Sequence, residues 1–278
     1  MTIVVTGATG NVGRPLVEEL LTAGAKVRAV SRRHDSSGLP DDVEVVDCAT
    51  AALAGASAVF LNSRALGDEL AAIIERGRRE GVTRLVALSA INADDDFSRQ
   101  PSRFRGDRNK EVEQLAIESG LAWVSLRPSV FASNFAGMWS AQIRAGDIVS
   151  GPYASASSAP IVESDIAAVA AKALLDDGLL GQKVPLTGPE SLTNTELVRI
   201  IGSVLDRPLR YREIPPDVVR QRFAGLGFPA EFGDAYVAML ATTVDRPALV
   251  THDVETILCR PPRTFEQWVG DHRSLFTN

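Results

Sequence analysis

Cysteine, histidine and long apolar runs are scarce in this chain, and each shortage removes a class of protein. Two cysteines, Cys48 and Cys259, stand far apart in 278 residues, so no disulfide framework carries the stability. The three histidines, His34, His252 and His272, are scattered, and no Cys/His pair has zinc spacing. The longest apolar or small stretch, Ala51 to Leu61, is too short to span a bilayer. Basic residues number 29 against 35 acidic ones, a formal net charge of −6. That balance gives no electrostatic case for nucleic acid or an anionic membrane surface. The chain opens directly on TIVVTG, with no basic segment followed by a cleavable apolar one. The expectation is a cytoplasmic protein with reduced thiols.

What is present is an alternation of strands and helices. Thr2–Thr6 is β-branched and apolar, as a buried parallel strand should be. Further strands are expected over 26–30, 43–46, 57–61, 84–88, 122–126 and 184–186, with helices over 12–23, 67–80, 107–119 and 163–175. This order predicts an α/β fold with a doubly wound parallel sheet, whose ligands bind at the carboxyl ends of the strands. Downstream, Thr193 and Glu196 have capping-box spacing before a helix over 194–205. One or two helices are expected over 215–241, broken near Gly225–Pro229, and a last one over 263–275.

The run TGATGNVGR, between the first strand and the first helix, carries the most information. Gly7 allows a tight exit from the strand, Gly10 allows backbone to approach a pyrophosphate, and Gly13 allows close packing. Backbone N–H groups around Thr9, Asn11 and Val12 then face a phosphate at the positive end of the helix. The spacing is GxxGxxG, not GxGxxG. The second strand ends VRAVSRRHDS, with no carboxylate where NAD wants one and with Arg32 and Arg33 in its place. A guanidinium pair suits a 2′-phosphate, so NADP(H) is favoured, with NAD(H) the alternative. Arg14 is a further phosphate candidate.

TGATGNVGR resembles the extended and atypical short-chain dehydrogenase/reductases. The stretches SGLAWVSLRPSVFASNF, ESDIAAVAAKALL, VPLTGPESLTNTELVRIIGSVLDRPLRY and RPPRTFEQWV resemble the NmrA-like branch of that family. The resemblance implies a nucleotide-binding domain over 1–150 and a small substrate lobe over 151–278, with 160–187 returning to the sheet. It implies that Asp47 and Cys48 lie beside the adenine, Asn62, Ser63 and Arg64 on the path of the nicotinamide ribose, and Pro128 and Ser129 beside the nicotinamide amide. It places Ser89 and Lys110 at the family's catalytic serine and lysine. The tyrosine that belongs four residues before the lysine is absent: Gly106 stands there, and Tyr153, Tyr211 and Tyr236 all lie downstream.

Without that acid, simple alcohol chemistry loses ground to reduction of an acceptor that needs little protonation, such as a quinone. Phe131, Asn134, Phe135, Met138 and Trp139 form an aromatic-rich helix start that suits a flat aromatic ligand, with Tyr153 on an opposite wall. Core packing is the alternative for this stripe. The expected partner is a small aromatic or quinone substrate. A monomer and a homodimer are both compatible with the sequence. Two further readings stay open: a redox-sensing regulator without catalysis, and a role in hydroxylating a polyketide-like quinone.

Overall fold

The first strand, β1 (Thr2–Thr6), is buried at four of its five positions, as its run of Ile, Val and Thr requires. The structure is a computed structural model, and it describes residues 1–31 and 38–277. After β1 come β2 (Lys26–Val30), β3 (Glu44–Val46), β4 (Ala58–Asn62), β5 (Arg84–Leu88) and β6 (Ala122–Pro128). With a seventh strand, Lys183–Leu186, they form one sheet in the order β3-β2-β1-β4-β5-β6-seventh. The pairings from β3 through β2, β1, β4 and β5 to β6 are parallel. The strand order reverses between β1 and β4, the switch point where this class of sheet opens a crevice.

The chain divides into two units. The first comprises Met1–Ala93, Gly106–Pro128 and Glu163–Pro185; the second comprises Asp94–Arg105, Ser129–Val162 and Leu186–Asn278. In the first, alternate sheet residues Val4, Val59, Leu61, Leu85 and Ala87 pack with α3 (Leu70–Arg79) and α4 (Asn109–Glu118). The intervening Ile3, Val5, Phe60 and Val86 are fully buried as well, on the face where α1 (Gly13–Thr22) and the Glu163–Leu175 helix pack. The helix expected over 67–80 begins later, at Leu70, after a separate short helix α2 (Ser63–Leu66). Gly67 interrupts them with φ +54°.

In the second unit, the Ala132–Ala145 helix buries Phe135, Trp139 and Ile143 against Leu197, Ile201, Phe265 and Trp268. The Asn194–Leu205 helix carries the expected capping box: Glu196 N–H donates to Thr193 Oγ1, and Thr193 N–H donates to Glu196 Oε2. The 215–241 region is a hairpin of two helices, Pro216–Gly225 and Ala230–Ala241, joined through Gly227 at φ +83°. Among the described residues no helix is long and apolar enough to cross a membrane. No group of three His, Cys, Asp or Glu side chains is placed there to hold a metal.

One buried charge cluster ties the far edge of the sheet to α4. Glu113, only 3% exposed, accepts from Ser125 Oγ at 2.5 Å and from Arg127 Nε at 2.8 Å. Lys183 Nζ, on the seventh strand, lies 2.8 Å from its other oxygen. Burial alone pushes this carboxyl up, but the bonds from Arg127, Lys183 and Ser125 outweigh it and hold it at about 2. The folded value is depressed, so the stabilisation is present above the ordinary carboxylate range. It is lost as pH falls from 4.5 toward 2. Glu113→Gln leaves Arg127 without its counter-charge and should cost about 3 kcal/mol at neutral pH. Urea titrations from neutral to pH 3 check this; a variant that loses stability in acid as steeply as the parent contradicts it.

Candidate cofactor and active site

The turn after β1 folds back on itself more tightly than any side chain allows. A Cβ on Gly13 would lie 2.2 Å from the Gly7 carbonyl oxygen and 2.7 Å from Ala8 Cα. Gly7 has φ +69°, and a Cβ there would meet Asn62 Nδ2 at 2.9 Å. Gly10 is different: it is exposed, and a Cβ would meet only Gly7 O, at 3.2 Å. Two glycines are therefore required by the protein's own packing, whereas Gly10 leaves the loop tip open. Asn11 stands exposed beside it and Val12 is buried at the start of α1. The first-turn N–H groups of a helix lack intrahelical acceptors, so they point a positive end at whatever the loop holds.

The cleft beyond this loop has a volume of about 310 Å³. It is built from the carboxyl ends of four strands: Thr6, Gly7 and Thr9 from β1, Val30 and Ser31 from β2, Asp47 and Ala49 from β3, and Arg64 to Gly67 after β4. Asp47 is exposed at its rim. Cys48 is exposed too, and hydrogen bonds from Thr50 and the backbone of Ala51 hold its thiol below the usual range. Arg32 and Arg33 lie outside the described residues. Arg14 braces the loop: Nε donates to Thr9 O at 3.2 Å and Nη1 to Gly38 O at 2.9 Å. The tie to residue 38 has no local sequence signal.

After β4, Asn62 is a cap. Its Oδ1 accepts from Arg64 N and Ala65 N at 3.1 and 3.2 Å, and its own N–H donates to Thr6 Oγ1 at 2.8 Å. Ser63 is buried, and its Oγ accepts from Arg108 N at 2.9 Å. Both residues thus shape the wall by holding backbone. Arg64 and Glu69 also line the cleft, and Glu69 was hidden in sequence by the break at Gly67.

Ser89 and Lys110 are brought to one place. Ser89 is 4% exposed, and its Oγ donates at 2.9 Å to the carbonyl of Asn109, the residue before Lys110 at the start of α4. Gly106, four residues before Lys110, has φ +96°, a backbone that strains any L side chain. Burial pushes the phenols of Tyr211 and Tyr236 up, so neither is prepared to take a proton near neutral pH.

In the second unit, the predicted substrate residues separate. Phe135 and Trp139 are 2% and 4% exposed and pack edge to face in the core, with Phe265 5.4 Å from Phe135 and Tyr211 6.0 Å from Trp139. Asn134 is exposed, while Phe131, Met138 and Tyr153 are half-buried. Ser129 Oγ donates to Ala159 O, and the buried Pro128, in the first unit, accepts from Ile91 N at 2.9 Å. Tyr153 has φ +49°, and Asn194 Nδ2 donates to its carbonyl at 2.9 Å.

The sequence profile of a family described as NAD(P)H-binding matches residues 7–177. The chain belongs to this family. It is 32% identical to a (4-alkanoyl-5-oxo-2,5-dihydrofuran-3-yl)methyl phosphate reductase of Streptomyces griseus, over 99% of both chains. It is 30% identical to an NAD(P)H azoreductase of Xenophilus azovorans, again over 99% of both. In fold it matches an NADPH-dependent quinone oxidoreductase of Escherichia coli with a TM-score of 0.79 at 19% identity, covering 98% of this chain and 100% of the other. The protein is an NAD(P)H-dependent oxidoreductase, and the glycine loop fits a dinucleotide because Gly10 leaves its exposed tip open beside the amino terminus of α1.

Gly13→Ala should destabilise the protein by about 1–3 kcal/mol even without cofactor, through overpacking. Gly10→Ala should fold normally and bind NADPH on the order of tenfold more weakly. Thermal melts and NADPH fluorescence titrations separate the two. Equal damage to apo stability from both substitutions contradicts the division of labour.

Proposed function

We propose that the protein is an NADPH-preferring reductase of an electron-poor conjugated acceptor, of the quinone or azo type. The observation that carries it is an intact dinucleotide cradle next to a site without the family's tyrosine. When bound, NADPH supplies a hydride, which with one proton from water turns a quinone into a hydroquinone. Such an acceptor delocalises the incoming charge, so no positioned acid is required of the chain. The relatives support this choice. One is named for a dihydrofuranone whose ring double bond is conjugated with a carbonyl, the other for an azo group.

The chain's residues then have the following parts. Gly7, Gly10, Asn11, Val12 and Gly13 hold the pyrophosphate. Arg32 and Arg33 select the 2′-phosphate, and Asp47 with the cleft at the end of β3 takes the adenosine. Lys110 holds the nicotinamide ribose, and Ser89 fixes the start of its helix. Phe131, Asn134, Met138 and Tyr153 contact the acceptor. The positive φ of Gly106, which disfavours a tyrosine there, favours one second reading, a cofactor sensor without chemistry.

The decisive assay is loss of reduced-nicotinamide absorbance with NADPH, then NADH, against quinones and azo compounds, with a protein-free blank. Turnover with NADPH preferred is expected. Arg32→Ala with Arg33→Ala should weaken NADPH binding on the order of tenfold and leave NADH unchanged. Tight cofactor binding with no turnover across the panel moves the protein to the sensor.

A further inference from the structure

The cleft above the glycine loop takes its charge from few side chains, and one of them is uncommitted. Among the described residues that line it, Arg64 is the one cation, and Asp47 and Glu69 are the acids. Arg64 is exposed, and among the described residues its side chain has neither a hydrogen bond nor an ion pair. Its backbone, in contrast, is fixed. Asn62 Oδ1 accepts from Arg64 N and Ala65 N, and Ala65 Cβ would lie 3.3 Å from a Cβ on Gly7. The short helix α2 is therefore seated on the turn that leaves β1. Its first residue, Ser63, faces elsewhere, with Oγ bonded to Arg108 N just before α4.

The course of the cleft decides which part of a dinucleotide Arg64 meets. It runs over the ends of β1, β2 and β3, past Gly7, Ser31 and Asp47, and no described lining residue comes from β5, α4 or β6. Arg64 thus shares its cleft with the residues assigned to the adenosine, and not with Ser89 or Lys110. The acids mark the far end. The charge of Glu69 reaches the Cys48 thiol, next to Asp47 at the end of β3. Arg14, the other arginine near the loop, is engaged in bracing it through Thr9 O and Gly38 O. The pyrophosphate of a dinucleotide is a dianion, and the N–H groups of a helix start offer it only partial charge.

We infer that Arg64 is the side-chain counter-charge for the pyrophosphate of the bound dinucleotide, meeting it from α2 while the glycine loop holds it from β1. A guanidinium suits this part, because its planar fork matches two phosphate oxygens. NADPH and NADH share the pyrophosphate, so Arg64 sets the affinity for both and not the choice between them. Arg64 thereby moves from the nicotinamide ribose, where the family resemblance puts it, to the ADP half. The inference rests on the dinucleotide alone and holds for a reductase and a sensor alike.

The test measures binding to the intact protein: NADPH and NADH by fluorescence titration, ADP and adenosine 2′-monophosphate by titration calorimetry. Arg64→Gln should raise Kd for NADPH, NADH and ADP by one common factor, on the order of tenfold. It should leave adenosine 2′-monophosphate, an anion without a 5′-phosphate, unchanged. Arg64→Lys should recover part of the loss, since it returns the charge without the fork. High salt should weaken ADP more in the parent than in Arg64→Gln. Loss for the dinucleotides with ADP unchanged returns Arg64 to the nicotinamide ribose and overturns the assignment. An equal loss for adenosine 2′-monophosphate reduces Arg64 to a general field and overturns it as well. No shift for any ligand also overturns it, while NADPH binding by the parent keeps the cofactor reading intact. A parent that binds none of these ligands removes both. The Arg64 side chain bonds to nothing that the fold needs, so thermal melts of both variants without ligand should match the parent.

Discussion

The contact between Gly13 and the carbonyl of Gly7 is the constraint on which the cofactor half depends. At 2.2 Å from a prospective Cβ, it leaves room for a hydrogen atom and nothing larger. The chain must leave β1, turn at the positive φ of Gly7, and enter α1 within six residues. That sharpness aims the amino terminus of α1 across the carboxyl edge of the sheet. A looser turn would carry the helix dipole and the free N–H groups away from the cleft. The same closeness engages the neighbouring strand, because Thr6 bonds both Phe60 O and Asn62 N, and Asn62 walls in Gly7. The loop after β4 is thus cut to fit the loop after β1.

Much of this was legible in the residues, and the reasons are specific. Strands 2–6, 26–30 and 84–88 and helices 163–175 and 194–205 fall where periodicity and caps put them. Each is long enough, or capped clearly enough, for local signals to agree with burial. The capping box at Thr193 needed no tertiary information, since it closes within four residues. Gly67 misled because a glycine preceding a helical pattern reads equally as a start and as an interruption. The aromatic stripe after Pro128 misled in a different way. Its spacing shows that Phe135 and Trp139 share a helix face, but not what that face meets. It meets Phe265 and Trp268, about 130 residues downstream in the sequence.

The buried Glu113 cluster was hidden for a related reason. In sequence Glu113 stands three residues after Lys110 and looks like half of a surface pair. In the fold it is buried and serves Arg127, Ser125 and Lys183 on two other strands. A buried carboxylate needs that many donors to remain charged. Its depression is the mark of a carboxylate that its donors hold charged.

The catalytic neighbourhood can be weighed by what each polar group is already doing. Ser89 gives its hydrogen to the Asn109 carbonyl, so its hydroxyl orients the start of α4 before it does anything else. Gly106 cannot be exchanged for a tyrosine without forcing a side chain onto a φ of +96°. On the reductase reading proposed above, the absence of an acid there is set by the backbone as well as by the side chain. Under that proposal, such a site favours acceptors that carry their own means of stabilising charge. Burden then shifts from protonation to recognition, from the chemistry of one phenol to the shape and charge of the surface that meets the acceptor.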